Sequence, residues 1–208
     1  MLKKILYFSC ACVFGLAASG IAKADTVYNL TVDGCTSGCT LPASGSYGTI
    51  DLSQVGSNVL VTVTLDPSYV FVSTGAGDAL EFNATGTITN ITTGFGVGPA
   101  PDTASTFGSF LQSVTCTACG NGGSSPLTGP LTFTVDNTTI ASFGANSDGY
   151  YFAADVGQLN ADGGLPLLAT GNVGSDGAPP VVPEPSTLLL LGTGLAVLAV
   201  TMKTKLLA

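Results

Sequence analysis

The 208-residue chain has no Trp, no His and no Arg, and its five lysines sit only at the ends: Lys3, Lys4, Lys23, Lys203 and Lys205. All thirteen acidic residues lie between Asp25 and Glu184, so this stretch carries negative side chains and no positive ones. A nucleic-acid binder needs Lys or Arg against phosphate and is excluded. The same absences exclude a Lys Schiff base, a His-dependent triad and any side-chain salt bridge within the interior. What is abundant is Gly (28 residues), Pro (11), Thr and small apolar residues.

The two ends read as addresses. Lys3 and Lys4 precede an apolar run from Ile5 to about Ala18, and Ala22-Lys23-Ala24 places small residues where a signal peptidase reads. This is a basic n-region, an h-region and an A-x-A site, so residues 1–24 are expected to be a signal peptide cleaved before Asp25. Cys10 and Cys12 should leave with it. At the other end, Leu188 to Met202 is apolar, interrupted only by Gly and Thr. As a helix it would span about 22 Å, short against a hydrocarbon core of about 30 Å. Lys203 and Lys205 follow, and positive charge beyond a span stays cytoplasmic. The signal peptide and the basic tail therefore require one topology, with the intervening domain outside.

Immediately before this apolar stretch stands Val182-Pro183-Glu184-Pro185-Ser186-Thr187. Pro183 and Pro185 fix φ and remove two backbone donors, which leaves an extended, exposed segment suited to an enzyme that cleaves or transfers it. Pro-Glu-Pro, a short Leu- and Gly-rich span and a basic terminus together resemble the PEP-CTERM sorting signal of Gram-negative bacteria. The resemblance implies an integral-membrane exosortase as partner, removal of the tail, and export to the cell surface or the extracellular medium. It also implies the setting of such substrates, exopolysaccharide production and biofilm or floc formation. The terminus departs from the family, which usually ends in an Arg cluster.

The domain between the ends reads as strands and turns. No segment of helical length from Asp25 to about Gly174 keeps a 3.6-residue apolar period. Val59, Val61, Val63 and Leu65 alternate with Asn58, Leu60, Thr62 and Thr64. Leu80, Phe82 and Ala84 alternate with Glu81, Asn83 and Thr85, and Leu131, Phe133 and Val135 with Thr132, Thr134 and Asp136. These are half-buried strands with a wet Thr/Asn face. Further strands are expected at Thr26 to Val32, Ser46 to Leu52, Thr87 to Thr92, Phe107 to Thr115 and Gly149 to Val156, with breaks at Asp66-Pro67, Gly75 to Asp78 and Gly94 to Pro99. Short strands with frequent turns predict an all-β fold, a β-sandwich of jelly-roll or immunoglobulin-like form over residues 25–173. A Gly-, Ala- and Pro-rich linker is expected over 174–182, followed by the sorting signal over 183–208.

Candidate chemistry is sparse. Cys35, Cys39, Cys116 and Cys119 remain after export, and an even number outside the cytoplasm predicts two disulfides. Three connectivities are open; proximity and the Gly-rich surroundings favour Cys35–Cys39 and Cys116–Cys119. A four-cysteine zinc site and a redox Cys-x-x-Cys are the competing readings, opposed by the oxidising compartment and by the poor helix start after Cys119. No metal ligand set and no cofactor is assigned. Calcium would suit the eleven Asp, but no D-x-D-x-D-G loop occurs. Cys116 to Cys119, Ser125 to Val135, Tyr151 to Val156 and Thr170 to Gly174 together are similar to a group of PEP-CTERM proteins without assigned activity, which implies a shared fold and nothing catalytic.

With no His and no G-x-S-x-G elbow, only carboxylate chemistry stays open, as in a glycoside hydrolase. Glu81, the one Glu of the domain, is expected to be a solvated strand charge. Tyr151 and Asp155 are expected on one strand face, with Tyr150 and Phe152 on the other. An exposed Tyr beside a carboxylate would make a sugar-stacking surface; the weightier reading is a core strand flanked by a half-buried Tyr. The expectation is a non-catalytic structural or interaction protein of the exopolysaccharide layer. The alternative is a carbohydrate-binding module, with a carboxylate-dependent glycosidase a distant third.

Overall fold

In a computed structural model, residues 25–35 and 37–177 are described, together with Gly192 and Gly194, both helical. Residues 25–180 form one compact unit. Its strands, in chain order, are β1 (Asp25–Leu30), β2 (Val32–Cys35), β3 (Gly48–Val55), β4 (Asn58–Leu65), β5 (Tyr69–Phe71), β6 (Leu80–Phe82) and β7 (Thr87–Thr89). There follow β8 (Phe95–Val97), β9 (Asp102–Ala104), β10 (Gly108–Phe110), β11 (Gln112–Cys116), β12 (Leu131–Asp136), β13 (Phe152–Gln158) and β14 (Ala169–Ser175). A single 3-10 turn, Ile140–Ser142, is the one named helical element among the described residues.

Two antiparallel sheets carry the fold. The first has the order β1-β3-β4-β12-β7; the second has β2-β14-β13-β6-β11-β8, with β5 also paired to β13. Alternation explains the first sheet. On β4, Val59, Val61, Val63 and Leu65 are buried, while Leu60 and Thr64 are exposed. Ile50 and Leu52 of β3 and Leu131, Phe133 and Val135 of β12 complete its inner face. A two-residue turn, Gly56-Ser57, joins β3 to β4 with Val55 opposite Asn58, and Gly56 takes φ +64°, a conformation that glycine adopts without a Cβ penalty. The second sheet supplies Phe71, Leu80, Phe82, Phe95, Val114, Phe152, Ala154, Val156 and Val173 to the same apolar cluster. Phe82 and Phe133 meet across the two sheets with ring centroids 5.6 Å apart. Each large buried side chain here contributes about 1.5–3 kcal/mol by leaving water.

The second sheet is covered on its outer face as well. Along β13, Phe152, Ala154 and Val156 enter the main core, while Ala153 faces outward into a second cluster with Ala104, Phe107 and Phe110. That cluster is brought by the β9–β10 hairpin. The Phe107 ring lies flat on the sheet because Gly34 and Gly174 leave room for it: a Cβ on Gly174 would stand 2.6 Å from Phe107. A second cover comes from residues 72–79. β5 and β6 both pair with β13, at opposite ends of it, and the chain between them leaves the sheet and folds over its outer face.

Several sequence expectations are corrected. Gly94 to Pro99, read as a break, contains β8, an edge strand paired with β11. β5, β9 and β14 are additional strands. The expected linker from residue 174 begins too early: Gly174 and Ser175 belong to β14, which is buried between β2 and β13. β14 has few apolar residues of its own, and pairing on both edges, not propensity, makes it a strand. The expected signal peptide, the sorting motif and, apart from Gly192 and Gly194, the apolar tail lie outside the described residues. No helix among the described residues is long and apolar enough to cross a membrane.

Candidate functional site

The outer face of the second sheet gathers four buried polar side chains, Glu81, Ser113, Asp155 and Asn172. Asp155 of β13 stands opposite Asn172 of β14, and Glu81 of β6 stands opposite Ala153 of β13 on one side and Ser113 of β11 on the other. The strand period of two points Asn172, Asp155, Glu81 and Ser113 away from the main core, in two neighbouring rows, Asn172–Asp155 and Glu81–Ser113, set two residues apart along β13. The expectation that Glu81 faces outward is met, but not that it is solvated. Residues 72–79 close over them, and Glu81, Asp155 and Asn172 are each 0% exposed.

Each group is held by named partners. Thr74 donates its N–H to Asp155 Oδ2 at 2.8 Å and its hydroxyl to the same carboxylate at 2.8 and 2.9 Å. The Asp78 N–H donates to Glu81 Oε1 at 2.7 Å. Asn172 Nδ2 donates to the Ala76 carbonyl at 2.8 Å, which fixes Oδ1 as the free end of that amide. The Ser113 hydroxyl reaches the Asp78 carboxylate and the Pro99 carbonyl. Asp102, from β9, is near enough to raise the Asp78 carboxyl. Within this group, two buried oxygens have no hydrogen-bond partner: Glu81 Oε2 and Asn172 Oδ1. Both side chains close on the Gly77 backbone, where a Cβ would stand 2.3 Å from Glu81 Oε1 and 3.1 Å from Asn172 Oδ1.

The electrostatics follow from burial without a cation. Burial pushes the Glu81 carboxyl well above its usual range; the bond from Asp78 N–H opposes this, and Asp102, Asp78 and Asp155 add to it. Asp78 is raised chiefly by burial and further by Asp102, against the hydroxyls of Ser113 and Thr115. Asp155 is raised by burial and by Asp78, against its bonds from Thr74. Carboxyls that raise one another in this way favour the protonated form. The arrangement can therefore hold protons on its buried carboxyls.

The remaining sequence-expected residues are placed as follows. Cys35 is bonded to Cys39 and Cys116 to Cys119. Asp33 binds the first loop from within, accepting the N–H groups of Cys35 at 2.8 Å and Cys39 at 3.1 Å. Both sulfurs beside it are in the disulfide, so this acid-and-cysteine group offers no thiolate to a metal. Asp25 opens β1 and accepts a hydrogen bond from Ser53 at 2.8 Å. Ala22, Ala24 and the motif Val182, Pro183, Glu184, Pro185, Ser186 and Thr187 lie outside the described residues.

The Tyr151–Asp155 surface is not formed. Tyr151 precedes β13, is half-buried, and packs on Tyr28 with centroids 5.2 Å apart, while Asp155 is sealed under Thr74. Tyr150 does not share a face with Phe152; its ring meets Phe107 at 4.8 Å in the outer cluster. The strand begins only at Phe152, so alternation does not extend back to the two tyrosines. Two open clefts, of about 620 and 340 Å³, are lined by Gly, Ser, Thr, Pro and aliphatic residues and Gln112, without an Asp, Glu or Tyr. Asn172 and Thr74 were not singled out from sequence, and only the cross-strand register reveals them.

The chain is thus an all-β protein with a C-terminal appendage of its own sequence character. Residues 181–203 match the PEP-CTERM protein-sorting motif, and the chain carries the sorting signal of PEP-CTERM proteins. Such proteins are exported and anchored in the membrane before processing, with an exosortase as partner. No curated protein and no solved structure matches the chain.

Proposed function

We propose that the chain is an exported, non-catalytic protein of the cell surface or extracellular matrix. An exosortase sorts it through residues 181–203, and its jelly-roll-like β-domain serves the exopolysaccharide layer as a structural or interacting component. The observation that carries the reading is the sorting motif placed directly after a self-contained β-domain. The full burial of Glu81 and Asp155, neither of which lines an open cleft, supports a non-catalytic role. So does the absence of any basic side chain between Asp25 and Met202. The alternation of β4, β12 and β7 in one sheet with β13, β6 and β11 in the other supports the jelly-roll description.

The test compares the native host with an exosortase-deficient strain. The expected result is a shortened, surface or extracellular protein in the first and a full-length, membrane-held one in the second. Identical mass and location in both strains would refute sorting. Co-sedimentation of the released protein with the host's exopolysaccharide, absent for an unrelated acidic β-protein, tests the role in the matrix. Hydrolysis of that polysaccharide by the released protein would overturn the non-catalytic reading.

A further inference from the structure

We infer that Glu81 is a proton-held latch for the 72–79 segment: the segment closes over Glu81 while that carboxyl keeps its proton, and lifts from the second sheet when the proton leaves. The inference is independent of the sorting reading. It begins from burial without charge compensation. Glu81 is 0% exposed, its Oε1 accepts the Asp78 N–H at 2.7 Å, and its Oε2 is buried with no partner. An ionised carboxylate in such a place is costly, and the group takes up a proton instead.

No surrounding element offers a positive charge. The cover contributes Asp78, β9 contributes Asp102 and β13 contributes Asp155, and after burial itself all three push the Glu81 carboxyl up. β11 and β14 contribute the uncharged Ser113 and Asn172. The chain has no Lys or Arg between Asp25 and Met202. Glu81 can therefore ionise cheaply only by reaching water, and the cover stands in the way. Gly77 sits directly on the carboxyl, where a Cβ would collide with Oε1.

The cover can lift on its own. It runs between β5 and β6, which are both paired with β13, so the chain between them can rise without unpairing either strand. The Gly122 N–H fixes its near end at the Ser73 carbonyl, at 2.8 Å. Of its own residues only Val72 and Ala79, at the two ends, are buried hydrophobics. Polar bonds hold the middle down: Thr74 to Asp155, Asp78 N–H to Glu81, and the Asn172 amide and Ser105 N–H to the Ala76 carbonyl, each of the last two at 2.8 Å. A segment with so little apolar burial opens locally before the sheets do. In the open state Glu81 titrates in the usual carboxylate range, whereas closed it keeps its proton to higher pH. The closed state thus binds the extra proton across that interval. Closure weakens as pH rises, by up to about tenfold per pH unit for one proton.

The test is amide hydrogen exchange on the exported protein from about pH 5 to about pH 8, read as protection factors so that the intrinsic pH dependence is divided out. Protection over 72–79 should stay below that of β4 at every pH, the mark of a local opening, and should fall as pH rises. The slope of log protection against pH should be smaller by about one in Glu81→Gln than in the parent. It should be unchanged in Asp162→Asn, in an exposed turn. The chain has only two Glu, Glu81 and Glu184. Glu-selective carboxyl-carbon labelling read by NMR therefore reports the proton in the wild-type protein, whether or not the Gln variant folds. The Glu81 signal should be that of a neutral acid at about pH 6, and its loss at higher pH should track the fall in protection. An ionised Glu81 at about pH 6 beneath a segment still protected would overturn the latch. So would equal slopes in the parent and Glu81→Gln. Protection over 72–79 that coincides with that of β4 throughout would overturn it too, because the cover would then never open alone.

Discussion

Thr74 gives Asp155 both its backbone N–H and its hydroxyl, all within 2.8–2.9 Å, and so ties the 72–79 segment to the centre of the second sheet. Without that donor pair, a fully buried carboxylate on β13 would keep none of the side-chain hydrogen bonds described for it. The bond is the reason an acidic residue can occupy the middle of a strand buried on both faces.

Replacing Thr74 with Val keeps the shape and removes the hydroxyl. Hydrogen bonds to charged groups are worth about 1.5–3 kcal/mol, so Thr74→Val should lower unfolding stability by about 2 kcal/mol. Thr74→Ser should recover most of it. Urea denaturation of the three proteins checks this, and equal midpoints for Val and Thr would show that Asp155 does not need the hydroxyl.

Alkaline stability should be set partly by Tyr69. Its hydroxyl donates to the Thr40 carbonyl and its ring meets Tyr47 edge-on at 5.2 Å. Burial, chiefly, and then Tyr47, Asp33 and Asp66 push its phenol up to about 12. In the unfolded chain the proton leaves near about pH 10. The unfolded state therefore binds fewer protons above that pH, and stability falls as pH rises. The contribution of Tyr69 should be whole below about pH 10 and lost by about pH 12. Denaturation midpoints measured across that window should decline less steeply in Tyr69→Phe than in the parent. The same slope in both would reject the assignment.

How much of this was legible in the sequence depends on what covers each strand. The alternation of Val59, Val61, Val63 and Leu65 reports a sheet with one wet face, and β4 is such a strand. The alternation of Leu80, Glu81 and Phe82 is the same pattern, and it correctly sends Glu81 away from the main core. It cannot report that residues 72–79 return over that face, because this cover is a Gly-rich loop whose position is set by β5 and β6 pairing with one strand. β14 was hidden for a related reason: Gly174 and Ser175 read as the start of a linker, and only partners distant in the chain make Ala169–Ser175 a strand. The polar rows need register as well as period. Asp155 opposite Asn172 is a fact of pairing that no local pattern contains. The sorting motif, by contrast, is local and complete in about 23 residues, so sequence alone displayed it.

Thiol titration should find none free in the native exported protein. Cys35–Cys39 and Cys116–Cys119 close loops of four and three residues' separation. On the loop-entropy account each such short loop stabilises by about 2 kcal/mol. Cys116→Ser with Cys119→Ser should therefore lower stability by about 2 kcal/mol while the fold persists. Peptide mapping of the oxidised protein should recover each pair as one linked fragment. A fragment joining Cys35 or Cys39 to Cys116 or Cys119 would contradict the pairing.

Processing at the tail should depend on the backbone that the prolines impose. Replacing Glu184, or Pro183 and Pro185 together, should leave full-length protein in the membrane fraction. Intact mass of the released and membrane-held pools measures this, and unchanged mass with unchanged release would show that Pro-Glu-Pro is not what the exosortase reads.

The lysine distribution gives a count of surviving segments. If both ends are removed, the remaining chain has no Lys, and its only primary amine is the new N-terminus at Asp25. An amine-reactive dye should then label the released protein once. Retention of the tail adds Lys203 and Lys205; retention of the leader adds Lys3, Lys4 and Lys23. Labelling stoichiometry, read by intact mass after complete denaturation, thus distinguishes the four processing states. The released species is expected at one label, and the exosortase-deficient strain at three, because its leader is gone and its tail remains. A released protein with more than one label would mean that one of the two ends stays attached.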